Sequence, residues 1–177
     1  SINILNRSKI IIKDEIIKSN DCLNRVVAKN IFSKANNPLA DNAAFDGFAI
    51  NSKDTKNLNK KNSKLFKIIG TIAAGNKPLK KKLKKFQTVE IMTGGIIPLG
   101  ADTIIPVEQI LYYPNKIKPK YILINKKIKN DQHIRLKGSD FKKNDLIIKR
   151  GTILQSNHIL ALKTLGIKKI KVKKILN

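Results

Sequence analysis

The middle of the chain is a succession of short apolar segments, and this pattern limits the possible folds more than any other feature. The segments are separated by Gly, Pro, Asn and Asp, which favour turns. Within the segments, β-branched residues and alternation favour strands. Strands are predicted within residues 25–32, 46–50, 64–75, 87–95, 101–110, 116–128 and 142–154, with loops at 36–45 and 52–64. Pro106 places its strand at a sheet edge or a bulge.

The two ends of the chain predict helices beside further strands. Residues 4–19 have an apolar spacing that partly suits a helix, although the run KIII leaves a strand possible. The clearest helix begins at Ser156, its expected cap, and ends before Gly166, which suits a left-handed C-terminal position. Residues 167–176 alternate as a strand. The predicted fold class is α+β, with a β-rich middle and helices towards the ends.

A formal net charge of +25 raises the question of nucleic-acid binding. Nearly every positive charge is a lysine, and the lysines are spread from end to end among many Asn and Ile residues, as an AT-rich genome would encode. The one dense run, KPLKKKLKKF at 77–86, is poor in the aromatic residues that stack on bases. We therefore favour a solvated basic surface over nucleic-acid binding, with general attraction of small polyanions as a further alternative.

Membrane insertion and secretion are also disfavoured. No run is long and apolar enough to cross a membrane, and the first 20 residues lack the apolar core and cleavage site of a secretory signal. Cys22 is the only cysteine, which rules out an internal disulfide. A reducing, cytoplasmic location is the expectation.

The stretch DNAAFDGFAI (41–50) is the first of three that differ from the Lys-, Asn- and Ile-rich background. Asp46 would project from a tight strand entry, where a carboxylate can bind Mg²⁺ or position an oxyanion. The alternative is an ordinary Asp-Gly turn between strands. Asp41 is expected to shape the loop, which leaves Asp46 as the candidate for chemistry.

The second stretch, EIMTGGIIPLGADTIIP (90–106), ends a strand on Thr93, Gly94 and Gly95. Glycines allow backbone N–H groups to converge on an anion, and a threonine hydroxyl can donate to the same anion. No Gly-Lys-Ser/Thr follows, so this is not a Walker loop. The alternative is a glycine-rich hairpin.

The third stretch is HIRLKGSDF (133–141), and it contains one of only four arginines. In a chain that uses lysine elsewhere, Arg135 suggests a need for the guanidinium fork, which suits a phosphate or carboxylate. The alternative is a structural salt bridge, for example to Asp140. His133 and His158 are interpreted as structural, because no cysteine or further histidine lies at metal-ligand spacing.

Taken together, in order and spacing, the three stretches resemble the molybdopterin molybdenumtransferases. These enzymes insert molybdenum into the molybdenum cofactor and are related to the catalytic domain of eukaryotic gephyrin. The family patterns are roughly F-D-N-S-A-M-D-G-Y-A, I-M-T-G-A-P-x-P-x-G-A-D and I-R-x-x-G-E-D, and this chain has ADNAAFDGFA, IMTGGIIPLGAD and IRLKGSD. The flanking segments LNRVVAKNI, IAAGN and GTILQSNHILALKTLGI are also similar, so the resemblance covers nearly all of residues 17–173.

The resemblance implies a domain organisation. Residues 1–40 and 138–177 would form a discontinuous α/β domain, and residues 41–137 a β-rich, barrel-like domain inserted into it that carries the three motifs. The family is dimeric and continues with a pterin-binding domain and a small C-terminal domain. We expect this chain to lack both and to carry one wall of the catalytic cleft, as a fragment, a split gene product or a degenerate remnant.

The resemblance also implies a site and a reaction. Asp46 and Thr93 would be the catalytic residues, with Asp46 holding Mg²⁺ and molybdate. Gly94, Gly95, Arg135 and Asp140 would bind substrate. The reaction converts adenylyl-molybdopterin and molybdate into molybdenum cofactor and AMP, and the partner would be a second copy of the chain.

Several positions depart from the family patterns: Ala43 replaces a serine, Glu90 an arginine, Gly95-Ile96 an Ala-Pro pair and Ser139 a glutamate. Each change removes or alters a polar contact near a motif. The chain is therefore interpreted as the N-terminal half of a molybdenum-inserting enzyme, inactive without the missing domain. A non-catalytic scaffold or binding remnant of the same fold is the first alternative, and a basic nucleic-acid-binding protein is the second.

Overall fold

The computed structural model describes residues 12–77, 79 and 81–175, and these form two compact units. Unit 1 contains the described residues up to Asn37 and from Asp140 onward, and unit 2 runs from Pro38 to Ser139. The strands are β1 (Asp14–Lys18), β2 (Ile31–Phe32), β3 (Asn42–Ala43), β4 (Gly47–Ile50), β5 (Lys64–Ile72), β6 (Gln87–Ile91), β7 (Thr103–Pro106), β8 (Leu111–Tyr113), β9 (Tyr121–Ile124), β10 (Ile134–Arg135), β11 (Leu146–Ile148) and β12 (Lys169–Lys173), and the helix is α1 (Ser156–Thr164). The described chain is therefore mostly sheet.

Unit 2 is built on a curled six-stranded sheet with the order β7-β4-β6-β5-β9-β8. All its strand pairs are antiparallel except β5 and β6, which run parallel. The strands β7 and β8 form the two edges, so the sheet is a half-barrel rather than a closed barrel. Pro106 lies in β7 and thus at an edge, as its missing N–H predicts.

The apolar runs of β4 and β7 reflect burial on both faces of this sheet. Every residue of β4 and of β7 is buried. Phe48 and Ile50 of β4 pack into one core cluster, and Ala49 packs into a second cluster on the other face. Strands covered on both sides have continuous rather than alternating apolar sequences, which explains GFAI and TIIP.

Unit 1 surrounds a smaller core. The strands β1 and β12 pair antiparallel along their whole length, and β2 pairs with β11. Leu162 of α1 packs with Val27, Leu154 and Val172, all with no exposed surface. Cys22 belongs to the same cluster, and burial raises the pKa of its thiol.

The helix α1 is capped one residue earlier than predicted. Gln155, not Ser156, is the N-cap: its side chain accepts from the N–H of His158, and its own N–H donates to His158 Nδ1 at 3.0 Å. This reciprocal pair satisfies two donors at the helix start. His158 therefore has a structural contact. Gly166 has φ +67°, the left-handed conformation predicted for the end of this helix.

The structure decides or corrects other sequence predictions. Of the helix and the strand left open for residues 4–19, Asp14–Lys18 form the strand, because pairing with β12 decides their conformation; residues 4–11 lie outside the described residues. The strand predicted at 25–32 is reduced to β2. The predicted surface loop 52–64 places Thr55 and Leu58 in the interior. Among the described residues, no helix has the length and apolar character to cross a membrane.

Candidate functional site

The three sequence motifs meet on the backbone of residues 42–46 in unit 2. Ala43 donates its N–H to Gly95 O at 2.9 Å and accepts from the N–H of Gly94 at 2.8 Å. Ala44 donates its N–H to His133 O at 2.9 Å, and Asn42 pairs with Arg135 between β3 and β10. The first motif is therefore held by hydrogen bonds to both the second and the third.

Asp46 and Thr93 form the central polar contact of this site. Asp46 Oδ1 accepts from the N–H of Thr93 at 2.7 Å and from Thr93 Oγ1 at 2.7 Å. The carbonyl of Asp46 also accepts from the N–H of Val107 at 3.1 Å. Both Asp46 and Thr93 are exposed, so the carboxylate is oriented by the protein and still open to a ligand.

Gly47 follows Asp46 because two strands approach each other closely at this point. It begins β4 and is not among the glycines with positive φ. A Cβ at Gly47 would lie 2.2 Å from Ile105 O of the neighbouring strand, far inside contact distance. The Asp-Gly pair is thus a bend followed by a tight strand contact, and no left-handed turn residue is needed.

The two hydrogen bonds from Thr93 stabilise the charged form of Asp46. The backbone N–H of Thr93 lowers the pKa of the Asp46 carboxyl below its ordinary value of 3.8, and the Thr93 hydroxyl lowers it further. Asp46 is therefore an anion at neutral pH. A carboxylate with a lowered pKa can bind a cation or orient a substrate, but it is a weak general base.

Replacing Thr93 with valine should raise the pKa of Asp46 towards its ordinary value, because valine keeps the N–H donor and loses the hydroxyl. The hydrogen bond from the Thr93 hydroxyl to Asp46 stabilises the folded state above pH 3.8, and this stabilisation is lost as the pH falls through the lowered pKa of Asp46 in the folded protein. The stability difference between the two proteins should thus shrink on acidification. Carboxyl ¹³C NMR titration measures the pKa, with Thr93→Ser as the control that keeps the hydroxyl. An unchanged pKa in Thr93→Val would contradict this account.

The glycine pair is engaged in a way that the sequence did not predict. The N–H of Gly94 donates to Ala43 O, and that of Gly95 donates to Met92 O, both at 2.8 Å. These two donors are used within unit 2, so the expected anion cradle of glycine N–H groups is not formed here. Gly94 has φ +81°, and a Cβ at Gly95 would meet Ile91 Cγ1 at 2.8 Å. The glycines shape the turn that presents Thr93.

The remaining predicted residues are divided between the units. Arg135 is exposed in β10, next to the first motif, in unit 2. Asp140 belongs to unit 1, where its Oδ2 accepts from Asn37 Nδ2 at 3.0 Å. Asp41 has the structural contact expected of it, since its Oδ1 accepts from the N–H of Lys137 at 2.7 Å. The structure therefore groups Asp46, Thr93 and Arg135 in one unit.

Two contacts near the site were not predicted. Asp102 accepts from the N–H and the hydroxyl of Ser52, at 2.6 and 2.8 Å, and so anchors the chain just after β4. The ring of Phe45 meets that of His133 edge-on, with centroids 5.0 Å apart. The contact between Asp102 and Ser52 could be suspected from the Gly-Ala-Asp of the second motif. The second has no sequence signal, because the two residues are far apart in the chain.

The site contains a single carboxylate that suits a divalent cation. Within the described part of the chain, no three His, Cys, Asp or Glu side chains cluster as metal ligands. Mg²⁺ commonly binds through one or two carboxylates, water and substrate oxygens rather than through a complete protein cage. Because Thr93 binds Oδ1 of Asp46, Oδ2 can serve a cation. The residues present thus fit a Mg²⁺ ion whose remaining ligands are water or the oxygens of a bound anion.

Comparisons with known proteins agree with one another. The family model for the MoeA N-terminal region (domain I and II) matches residues 2–166. Molybdopterin molybdenumtransferases of Staphylococcus aureus and Staphylococcus epidermidis are 33% and 29% identical over 85% and 97% of this chain. Two structures of the molybdopterin biosynthesis MoeA protein from Pyrococcus horikoshii match with TM-scores of 0.83 and 0.86, at 31% and 30% identity over 92% and 97% of this chain.

The matched region is only part of each relative. The chain spans 34% and 40% of the two staphylococcal proteins and 41% and 42% of the Pyrococcus chains. The resemblance drawn from the three motifs is confirmed, including its restriction to the N-terminal region. The chain belongs to the MoeA family and corresponds to its N-terminal region, domains I and II.

Proposed function

We propose that this chain supplies one wall of the active site of a molybdenum-inserting transferase, in which Asp46 is the central residue. The proposed reaction converts adenylyl-molybdopterin and molybdate into molybdenum cofactor and AMP. The observation that carries the proposal is the Asp46–Thr93 contact, in which two 2.7 Å hydrogen bonds orient an exposed carboxylate where all three motifs meet. The names of the relatives support the pathway.

The chemistry of the residues fits strongly anionic substrates. Asp46 would hold Mg²⁺, which supplies positive charge against the oxygens of molybdate and of the pyrophosphate group. Thr93 keeps the carboxylate ionised and fixed in direction, so little reorganisation is needed when substrate binds. Arg135 offers a planar fork of donors for a phosphate or carboxylate. Gly94 and Gly95 contribute by shaping the turn, and Asp140 remains a proposed substrate contact.

The proposed activity requires more protein than these residues provide. The chain spans 34% to 42% of the matched relatives, so we propose that it is inactive without the remaining part of such a protein. We also propose that the chain forms a homodimer. Sedimentation equilibrium would test this through a mass of twice 19.9 kDa, and a single 19.9 kDa species at micromolar concentration would contradict it.

Asp46→Asn should lower the activity of a chimera at least about tenfold, because the amide loses the charge that holds the cation. In the chimera, this chain replaces the matching 172 residues of the Staphylococcus epidermidis molybdopterin molybdenumtransferase. The assay measures AMP release and molybdenum cofactor formation from adenylyl-molybdopterin and molybdate.

Asp131→Asn is the matched control for this experiment. Asp131 is an exposed aspartate of the same unit with φ +59°, a conformation that asparagine accepts well. We expect Asp131→Asn to retain the activity of the unsubstituted chimera. Equal activity of Asp46→Asn and Asp131→Asn would reject the role of Asp46.

The second candidate function is a non-catalytic scaffold that has kept the fold. It is favoured by Ala43, a buried residue at which the family pattern has a hydroxyl, and by Ser139, at which the pattern has a carboxylate. A folded chimera that releases no AMP would favour the scaffold. Restoration of AMP release by Ala43→Ser together with Ser139→Glu would show that side-chain loss alone had silenced the site.

A further inference from the structure

The hairpin that joins β8 to β9 presents an exposed apolar side chain at one edge of the unit 2 sheet. Residues 114–120 connect the two strands, and the N–H of Lys120 donates to Tyr113 O at 3.0 Å where the loop closes. Ile117, in the middle of this loop, is 89% exposed, more than any other large apolar residue that the structure describes. A single exposed isoleucine is common on protein surfaces, so its meaning depends on the residues around it.

The loop presents Ile117 on an ordered turn. Asn115 Oδ1 accepts from the N–H of Ile117 at 3.0 Å and from the N–H of Lys118 at 3.1 Å. An asparagine side chain bonded to the backbone two residues on forms an Asx turn, which restricts the conformation of the loop. The exposure of Ile117 is therefore a feature of a hydrogen-bonded turn.

Lysines surround this isoleucine in a stretch of sequence that has no acidic residue. Lys116 and Lys118 are its direct neighbours, and Lys120 follows at the end of the loop; all three are exposed. Residues 109–130 contain six lysines and no Asp or Glu. The hairpin is therefore a concentrated positive charge around one apolar side chain, and it suits an anionic partner.

The base of the hairpin extends the apolar surface. Tyr113 pairs with Tyr121, and their ring centroids are 6.4 Å apart. Leu111 pairs with Leu123 two residues further from the loop, and both Leu111 and Tyr113 are exposed. Because residues two apart in a strand share a face, the tyrosines lie between the leucines and the loop on one face of the sheet.

This arrangement fits the surface of an anionic lipid bilayer better than it fits other partners. An exposed isoleucine gains free energy by entering the acyl boundary, tyrosine favours the headgroup level, and lysine is attracted to anionic headgroups. A nucleic acid would use the lysines but gain little from Ile117, because bases stack on flat rings. A second copy of the chain would bring the same positive charge to this face and be repelled.

We propose that the β8–β9 hairpin docks this chain on membranes that contain anionic phospholipids, with Ile117 inserted and Lys116, Lys118 and Lys120 at the headgroups. The proposal is independent of the transferase reaction. It uses no residue of the candidate site, and three strands separate β8 from β4 in the order of the sheet.

The first test is co-sedimentation of the chain with phosphatidylcholine vesicles, with and without about one third phosphatidylglycerol, at about 150 mM salt. The chain should bind only the anionic vesicles. The triple variant Lys116→Gln, Lys118→Gln, Lys120→Gln should bind them about a hundredfold more weakly, the combined effect expected of three lysines near an anionic surface. The matched control replaces Lys81, Lys82 and Lys84, three exposed lysines elsewhere on unit 2, by glutamine; its binding should change by less than about threefold, because its hairpin is intact.

The second test follows the apolar tip. The chain contains no tryptophan, so Ile117→Trp places a single reporter in the loop. Its emission should shift to shorter wavelength on addition of anionic vesicles, whereas that of Leu99→Trp, at a side chain of unit 2 that is 64% exposed, should not. Ile117→Ser should weaken vesicle binding about tenfold, as expected for the loss of one buried aliphatic side chain, and Ile117→Leu should retain it. Circular dichroism of each variant establishes that the fold is intact.

Three results would overturn the proposal: no binding to anionic vesicles, equal losses in the two lysine triple variants, or an unshifted emission of Ile117→Trp. Two others would reject it in favour of a different partner. DNA binding that is lost in the hairpin triple variant, with vesicle binding unaffected by Ile117→Ser, would indicate a nucleic-acid site. Dimers that dissociate on Ile117→Ser, without vesicle binding, would indicate a second copy of the chain.

Discussion

Replacing Gly47 with alanine should destabilise unit 2 by about 3 kcal/mol, at the upper end of the usual range for overpacking. The added Cβ would lie 2.2 Å from Ile105 O and 2.9 Å from Ile104 Cγ2. The strand cannot move away easily, because Gly47 is paired with Ile91 of β6 on one side and with Pro106 of β7 on the other. Urea unfolding followed by circular dichroism measures the loss.

Gly70→Ala is the matched control, since Gly70 also lies within a strand of unit 2. No atom lies within 4 Å of a Cβ built at that position. Its stability should be unchanged or raised by up to about 1 kcal/mol, because alanine restricts the unfolded chain more than glycine does. Similar losses for both variants would show that the close contact at Ile105 O is not the cause. Gly47→Ala should also displace Asp46, so NMR of the Asp46 carboxyl in the same variant reports on the site directly.

Leu162→Ala should lower the stability of unit 1 by about 3 kcal/mol, a value within the range expected when a buried leucine is truncated to alanine and leaves a cavity. Leu162 has no exposed surface and packs in the cluster that contains Val27, Leu154 and Val172. The loss should appear in urea unfolding and in faster hydrogen exchange of the β12 amides, which lie against the same core.

Leu160→Ala makes the same chemical change two residues earlier in the same helix, at a side chain that is 67% exposed. Its effect should stay within about 0.5 kcal/mol, as is usual for surface positions. A loss as large as that of Leu162→Ala would indicate that Leu160 is covered in solution, for example by a second copy of the chain.

Local sequence patterns identified most strands and the helix, and they located the edge strand at Pro106. They could not give strand partners, because pairing depends on residues distant in the chain. The strand at Asp14–Lys18 shows the consequence, since its partner β12 follows about 150 residues later and overrides a helical spacing. The same limit applies to the cap at Gln155, where the reciprocal contact with His158 decides the start of the helix.

The features of the candidate site could likewise be predicted from the sequence only in part. The motifs indicated Asp46 and Thr93 because their order and spacing resemble one family, and the structure places the two in direct contact. The sequence could not decide between the anion cradle and the glycine-rich hairpin, because nothing local indicates that Ala43 O and Met92 O accept from the glycine N–H groups. The reason for Gly47 was likewise not visible, since the clash that a side chain would cause involves Ile105, in a strand far along the chain.

The backbone bonds of Ala43 have a consequence for how this chain tolerates mutational drift. Both its N–H and its carbonyl are bonded to the Gly94-Gly95 turn, and neither bond uses the side chain. A genome that replaces side chains with whatever its base composition favours can therefore remove the family's hydroxyl at this position without moving the bend that aims Asp46. Because these hydrogen bonds are between backbone groups, side chains around the Asp46 carboxylate can be substituted while the position of the carboxylate is kept.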